Sequence, residues 1–475
     1  MPPPPPRARD TPSSSTTPSA AALAAARDAA FEPVGWREHF DHALDIPVGD
    51  VDVFRVYTAR DEGAHDAASA SSSGSASASA SASASSGAAS SAPPSSSASS
   101  SAATPVDAIV LCVHGCPYTA LSWAPAARAL ARRLGPSRVV AAVDLRGHGE
   151  TRCADETALD ADTLAADLVA VAAALRRRFE SEAIRTDTKG EDATGNAKGR
   201  EGTRPKVFLV GHSAGGAAAA RAASSSSSSS SAAAPFAGVV VVDATEGAGL
   251  AAIPRMEANL AAGVRPESFA SERDAIAWAL RSGLTRNVDA ARVSVPSQLV
   301  RRDDEKNLMS DDHFVSDDHF VSGETKPSES ESESRSRSRT PSSSRFVWRT
   351  SLAATRPHWR GWFDGLSRAF LAAPCPKLLA LVGVDRLDDE LVAAQMSGKF
   401  QMVLFPDAGH AVHEDEPERV ADAVAAFVRR YAEAKHVGNG VYAYGTKNKR
   451  RGAAVDGAAT RELLGDVRET DDSFA

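Results

Sequence analysis

Ser213 lies in the run Gly211-His212-Ser213-Ala214-Gly215, and His410 follows Pro406-Asp407-Ala408-Gly409 late in the chain. A serine and a histidine can together perform nucleophilic catalysis, since a serine hydroxyl attacks poorly at neutral pH until a base takes its proton. The pentapeptide has the form G-x-S-x-G. Lys206-Val207-Phe208-Leu209-Val210 reads as a strand before it, and an alanine-rich helix follows. In that setting the serine sits on a sharp turn that lifts its hydroxyl above the sheet edge. Side chains at positions 211 and 215 would clash with neighbouring backbone, hence the glycines. The Ala214 N–H, at the helix start, then faces a reacting carbonyl and is a candidate oxyanion donor. A second donor belongs in the loop after an early strand. Val113-His114-Gly115-Cys116-Pro117 holds that place. Pro117 has no N–H, so the donor is Cys116 or a later residue.

The base must come last in the chain order nucleophile, acid, histidine. Phe400–Phe405 reads as the final strand, and His410 stands in the loop beyond it. His413, nearer the next helix start, is expected at the surface or in a cap. His114, His148 and His212 are expected to shape loops. Two aspartates compete for the acid: Asp243 follows the run Val239–Val242, and Asp385 follows Leu378–Val382. Either would hold an imidazole in the productive tautomer, and either also reads as a loop-shaping Asx turn. Generic fold order makes Asp385 attractive.

The elements that must position these residues are legible. Ala108–Val113, Val139–Val143, Val207–Val210, Val239–Val242, Leu378–Val382 and Phe400–Phe405 are short apolar runs, each followed by turn or polar residues. Continuous Val/Leu/Ile runs fit strands buried on both faces of a parallel sheet. Helical stretches such as Leu164–Phe179 and Arg273–Arg281 lie between them. The alternation predicts an α/β class, with a mostly parallel central sheet flanked by helices. With the G-x-S-x-G turn this is the α/β-hydrolase fold. Val51–Tyr57 alternates and is expected as an edge strand. A final helix is expected from Pro417, with Val420, Val424, Phe427 and Val428 on its apolar face. The segment between Asp243 and Leu378, with Trp359 and Trp362, is expected to form a helical cap over the site.

The chain has 475 residues and a net charge of −8. Residues 1–30, 66–104, 183–204, 303–344 and 436–475 carry too little apolar bulk to offset chain entropy. Roughly 300 residues remain, which suits one domain. The expected organisation is a disordered tail at 1–30, a single domain over 31–435 interrupted by disordered inserts at 66–104 and 303–344, and a disordered tail at 436–475. The mild acidity points to no nucleic acid, and no apolar run reaches the roughly 18 residues of a membrane helix. Cys112, Cys116, Cys153 and Cys375 show neither paired nor metal-ligand spacing, so a reducing compartment, cytoplasm or nucleus, is expected. The repeat Asp311–Ser316 and Asp317–Ser322 reads as a tandem duplication rather than a metal site, and Lys447–Arg451 as a nuclear import signal or a solvated tail. No metal or cofactor is expected.

With these residues in place, the sequence resembles the protein phosphatase methylesterase family. The resemblance begins at Phe31–Trp36 and runs through Ala120–Trp123, Asp144–Thr151, Val242–Gly247 and Arg286–Gln298. It continues through Trp359–Phe370, Gly383–Asp388, Gln395–Met402 and Gly409–Glu414. It implies a carboxylesterase acting on the methyl-esterified C-terminal leucine of the protein phosphatase 2A catalytic subunit, which would be both substrate and partner. It also implies the triad Ser213, Asp243 and His410; Ala214 and Cys116 are the oxyanion donors expected from the turn and loop positions. The chain departs from the family where Cys116-Pro117-Tyr118 replaces a glycine-rich loop. Two alternatives stand beside this reading: a general small-ester carboxylesterase, and a phosphatase-docking inhibitor whose hydrolysis is secondary.

Overall fold

The computed structural model describes residues 29–61, 104–187, 204–225, 236–302, 345–436 and 442–444. The chain divides into two units, one ending at Ala432 and one beginning at Glu433.

In the first unit the apolar runs become strands of one eight-stranded sheet. In chain order the first elements are β1 (His42–Val48), β2 (Asp52–Arg60), β3 (Ala108–Val113), α1 (Ala124–Leu134), β4 (Arg138–Val143) and α2 (Ala161–Asp187). There follow β5 (Lys206–His212), α3 (Ala214–Ser225), β6 (Gly238–Val242) and α4 (Glu246–Ala261). After further elements described below come β10 (Lys377–Leu381) and β11 (Gln401–Leu404). The sheet order is β1-β2-β4-β3-β5-β6-β10-β11. Every neighbouring pair from β4 to β11 is parallel, and β2 pairs antiparallel with both β1 and β4. The Val51–Tyr57 run is therefore not the edge strand expected from its alternation. β1, a run broken by Pro47, takes the edge and covers it.

Alternate residues of each strand feed two opposite cores. Ile109, Leu111 and Val113 pack with Leu168 and Leu175 of α2 and the alanines of α3. Ala108, Val110 and Cys112 pack with Leu130 of α1 and with Val424 and Phe427 of the last helix. This two-sided coverage is why the strands are apolar throughout.

β3 is flanked by β4 on one side and β5 on the other. The loops leaving β3 and β5 consequently diverge, opening a crevice at the carboxyl ends of the strands, where such sheets bind ligands.

Between β6 and β10 the chain forms a cap that was expected to be helical and is instead mixed, with strands as well as helices. Its elements are β7 (Ser268–Phe269), α5 (Glu272–Ser282), α6 (Val288–Ser297), β8 (Leu299–Arg302), β9 (Arg345–Trp348), α7 (Leu352–Thr355), α8 (Trp359–Phe363) and α9 (Leu366–Ala372). A three-stranded sheet, β7-β9-β8, has its own small core of Phe269, Ile276 and Val295. β8 and β9 pair antiparallel with Arg302 opposite Arg345. α10 (Asp389–Met396), α11 (Val412–Asp415) and α12 (Pro417–Ala432) complete the unit. α12 begins at the expected proline, and Val420, Val424, Phe427 and Val428 are buried.

α2 runs to Asp187, past the point where a solvated stretch was expected to begin. In the second unit, Ala434–His436 pairs antiparallel with Tyr442–Tyr444, two short strands that fall partly within the tail expected to be disordered. The tail 1–28, most of the insert 66–104, the insert 303–344 with its hexapeptide repeat, and the basic run 447–451 lie outside the described residues. Among the described residues no helix is long and apolar enough to cross a membrane.

Candidate active site

β5 ends at His212, Ser213 turns with φ 51°, and α3 starts at Ala214. Left-handed backbone is costly for serine and persists because its surroundings fix it. The Ser213 N–H donates to Val242 O at 3.0 Å, and Ala217 N–H donates to Ser213 O at 3.0 Å. A Cβ on Gly211 would meet Gly215 O at 2.4 Å, and one on Gly215 would meet His114 O at 2.2 Å. Both sequence-predicted clashes are thus with backbone.

Asp243 repeats the same device one strand over. It follows β6 with φ 47°, and its N–H donates to Ala380 O at 2.8 Å. Its side chain is fully buried. Oδ2 accepts from His410 Nδ1 at 2.7 Å and Oδ1 from Val382 N–H at 3.4 Å. Burial pushes the carboxyl up, but the His410 hydrogen bond and charge, with Arg386, outweigh it and hold Asp243 below the usual carboxylate range. With Nδ1–H given to Asp243, His410 Nε2 is free to accept from the Ser213 hydroxyl, 3.1 Å away. The structure thus brings Ser213, His410 and Asp243 into one line. Asp385 stands apart in a short 3-10 turn, Val384–Arg386, folded over Gly383.

The other two expected residues are also here. Cys116 and Ala214 line the same cavity as Ser213. Ala214 is the first residue of α3, whose leading N–H groups have no intrahelical acceptor. The Cys116-Pro117 bond is cis. Burial pushes the Cys116 thiol up to about 12, so it packs as a neutral side chain.

The cavity is about 300 Å³. One wall is α4, which presents Ala248, Gly249, Ala252 and Met256; the other includes Trp362, Phe363 and Leu381. Thr245 caps α4, accepting from Ala248 N–H, and its hydroxyl donates to Arg386 O at 2.5 Å. The small residues of α4, and Arg386 beside Asp243, were not singled out from the sequence. The helical spacing of Ala248 and Ala252 is the signal that could have found the first.

His413 is a correction. It is fully buried rather than at the surface or in a cap, with its ring 4.2 Å from Trp123 and Nε2 3.1 Å from Ser122 Oγ. Burial holds its pKa down at about 3. The apolar run of chain around it, Ala411 and Val412, was the sequence signal. Trp359 and Trp362 are both buried. Trp362 lines the cavity and donates to Leu159 O at 2.6 Å, whereas Trp359 donates to Thr355 Oγ1 at 2.9 Å inside the cap.

A family model described as the alpha/beta hydrolase family matches residues 110–423. The chain is 33% identical over 421 residues to protein phosphatase methylesterase 1 of Bos taurus, covering 87% of this chain and 90% of that protein. The Mus musculus protein of the same name is 33% identical over 421 residues, covering 87% and 88%. Among solved structures, E-2-(acetamidomethylene)succinate hydrolase is similar with a TM-score of 0.47 at 18% identity, covering 82% of this chain and 100% of that one.

Proposed function

The chain belongs to the protein phosphatase methylesterase family of α/β-hydrolases and is a hydrolase; from that premise we propose that it removes the methyl ester from the C-terminal leucine of the protein phosphatase 2A catalytic subunit. The observation that carries the chemistry is the hydrogen-bonded line from Ser213 through His410 to Asp243, opening on an apolar cavity.

His410 Nε2 takes the Ser213 proton as Oγ attacks the ester carbonyl. The tetrahedral oxyanion is held by the Ala214 and Cys116 N–H groups, one such donor contributing roughly 3–4 kcal/mol to the barrier. Collapse breaks the carbon–methoxy bond, and His410 gives its proton to the departing methanol. Water then attacks the acyl-enzyme, His410 taking its proton, and collapse returns Ser213 and releases the carboxylate. Asp243 stabilises the imidazolium in both halves.

The cavity beside Ala248, Ala252 and Trp362 would take an aliphatic acyl side chain, while Gly249 gives its space to the Phe363 ring, 2.4 Å from where a Cβ would stand. A methyl group discriminates weakly, so selectivity resides in that cavity and in contacts with the phosphatase. The four free cysteines suit a reducing compartment, and a cytoplasmic or nuclear setting is part of this proposal. The test is methanol release from carboxymethylated phosphatase 2A by wild type and Ser213→Ala. Release by wild type alone is expected. Cleavage of small esters with none of the phosphatase would discard the substrate and keep the hydrolase.

A further inference from the structure

The His410 side chain is half exposed. Packing therefore does little to hold the ring, and its place depends on its two ring hydrogen bonds and on the main chain beneath it. That main chain is gripped by side chains outside the triad. His212 Nε2–H donates to the His410 carbonyl at 2.8 Å. One residue back, the Gly409 N–H donates to Asp415 Oδ2 at 2.7 Å. Two residues further back, Arg286 Nη1 donates to Asp407 O at 2.8 Å. Asp415 Oδ1 accepts from the Arg286 N–H at 2.7 Å, joining the last two contacts.

We infer that His212 is a positioning residue for His410, fixing the base through its carbonyl against the counter-clamp of Asp415 and Arg286. His212 immediately precedes Ser213, so this one side chain ties the base loop to the nucleophile turn. It reaches a third loop as well: a Cβ on Gly115 would stand 2.9 Å from His212 Nδ1. The ring is fully buried, 4.7 Å from the His410 ring and 4.5 Å from the His413 ring. Burial, with His413 and His410 nearby, keeps it well below the usual imidazole range and therefore neutral. Because Nε2 carries the proton given to the carbonyl, the neutral ring leaves Nδ1 bare against Gly115. A neutral wedge can touch all three loops without adding a charge beside the imidazolium that His410 becomes.

The inference rests on His410 acting as the base, and it is tested on the full chain with p-nitrophenyl acetate, so a wrong phosphatase substrate leaves the readout intact. His212→Ala is expected to lower kcat about ten- to hundred-fold, the loss typical of a misplaced catalytic group, with KM within about twofold. His212→Gln, whose amide N–H can reach the same carbonyl, is expected to recover part of the loss at equal thermal stability. Arg286→Ala, on an exposed side chain, is expected to lower kcat with Arg286→Lys partly restoring it. Equal impairment of the alanine and glutamine variants, or unchanged kcat in the folded His212→Ala protein, would overturn the role. Failure of wild type to cleave any ester would overturn it together with the proposed function.

Discussion

Arg386 Nη1 lies 3.9 Å from Asp243 Oδ2, the same oxygen that accepts from His410. The guanidinium helps hold Asp243 anionic against the cost of its burial. Removing it raises the carboxyl, so protonation of Asp243, and the loss of activity that follows from it, sets in at less acid pH. Arg386 is 38% exposed, and solvent screening limits the effect to about 1 kcal/mol, roughly fivefold at most. A pH–rate profile of Arg386→Gln is expected to show this shift and little change near neutrality.

Asp243→Asn should cut kcat by about four orders of magnitude, because an amide orients the wrong imidazole tautomer. Asp385→Asn should leave kcat within about twofold, since its carboxyl folds on Gly383 rather than on His410. Hydrolysis of a chromogenic ester by both variants distinguishes the two aspartates that generic strand order left open.

Gly215→Ala is expected to destabilise the fold by about 1–3 kcal/mol and to disable the nucleophile turn. The added methyl would press on His114 O, a backbone atom that cannot rotate away. Urea titration together with active-site labelling measures the two losses separately.

Glu414 gives a pH signature in stability rather than in rate. Burial, with Asp415 nearby, pushes its carboxyl from 4.5 up to about 7 against hydrogen bonds from Ser294 and Thr285. Its protonated form is favoured in the fold, so its contribution is complete below 4.5 and is lost as pH rises through about 7. Relative to Glu414→Gln, wild type should lose on the order of 2–3 kcal/mol between about pH 5 and 8. Denaturant melts of both proteins across that range check the sign.

The two cap tryptophans should separate. Trp359→Ala removes core packing and costs about 3–5 kcal/mol without altering KM in protein that remains folded. Trp362→Phe loses the bond to Leu159 and reshapes the cavity wall, so KM for a leucine methyl ester should rise. Equal KM values for wild type and both variants would show that neither ring meets the acyl group.

Much of this was legible in the chain because buried parallel strands leave a plain signal: continuous apolar runs, each ending where a loop must carry function. The nucleophile turn was legible for a related reason, since only glycine fits where backbone meets backbone at positions 211 and 215. What the chain concealed were relations across it. Val51–Tyr57 alternates like an edge strand, yet the β1 run lies outside it, and Pro47 there hides the strand character. His413 and Arg386 are polar, and local sequence does not say that one is fully buried while the other meets an aspartate 143 positions earlier in the chain. Strand order alone favoured Asp385, while the family resemblance named Asp243, the strand end that faces the last loop.

The pairing of Arg302 with Arg345 has a consequence for how the gene can vary. Paired strands lie about 5 Å apart, so Arg302 and Arg345 stand side by side although far apart in sequence. Closing a longer loop across fixed ends costs little more, about 0.6 kcal/mol per doubling. This pair of strand ends is therefore a port at which sequence can be lengthened, shortened or exchanged for a foreign domain without disturbing the register that holds the cap together.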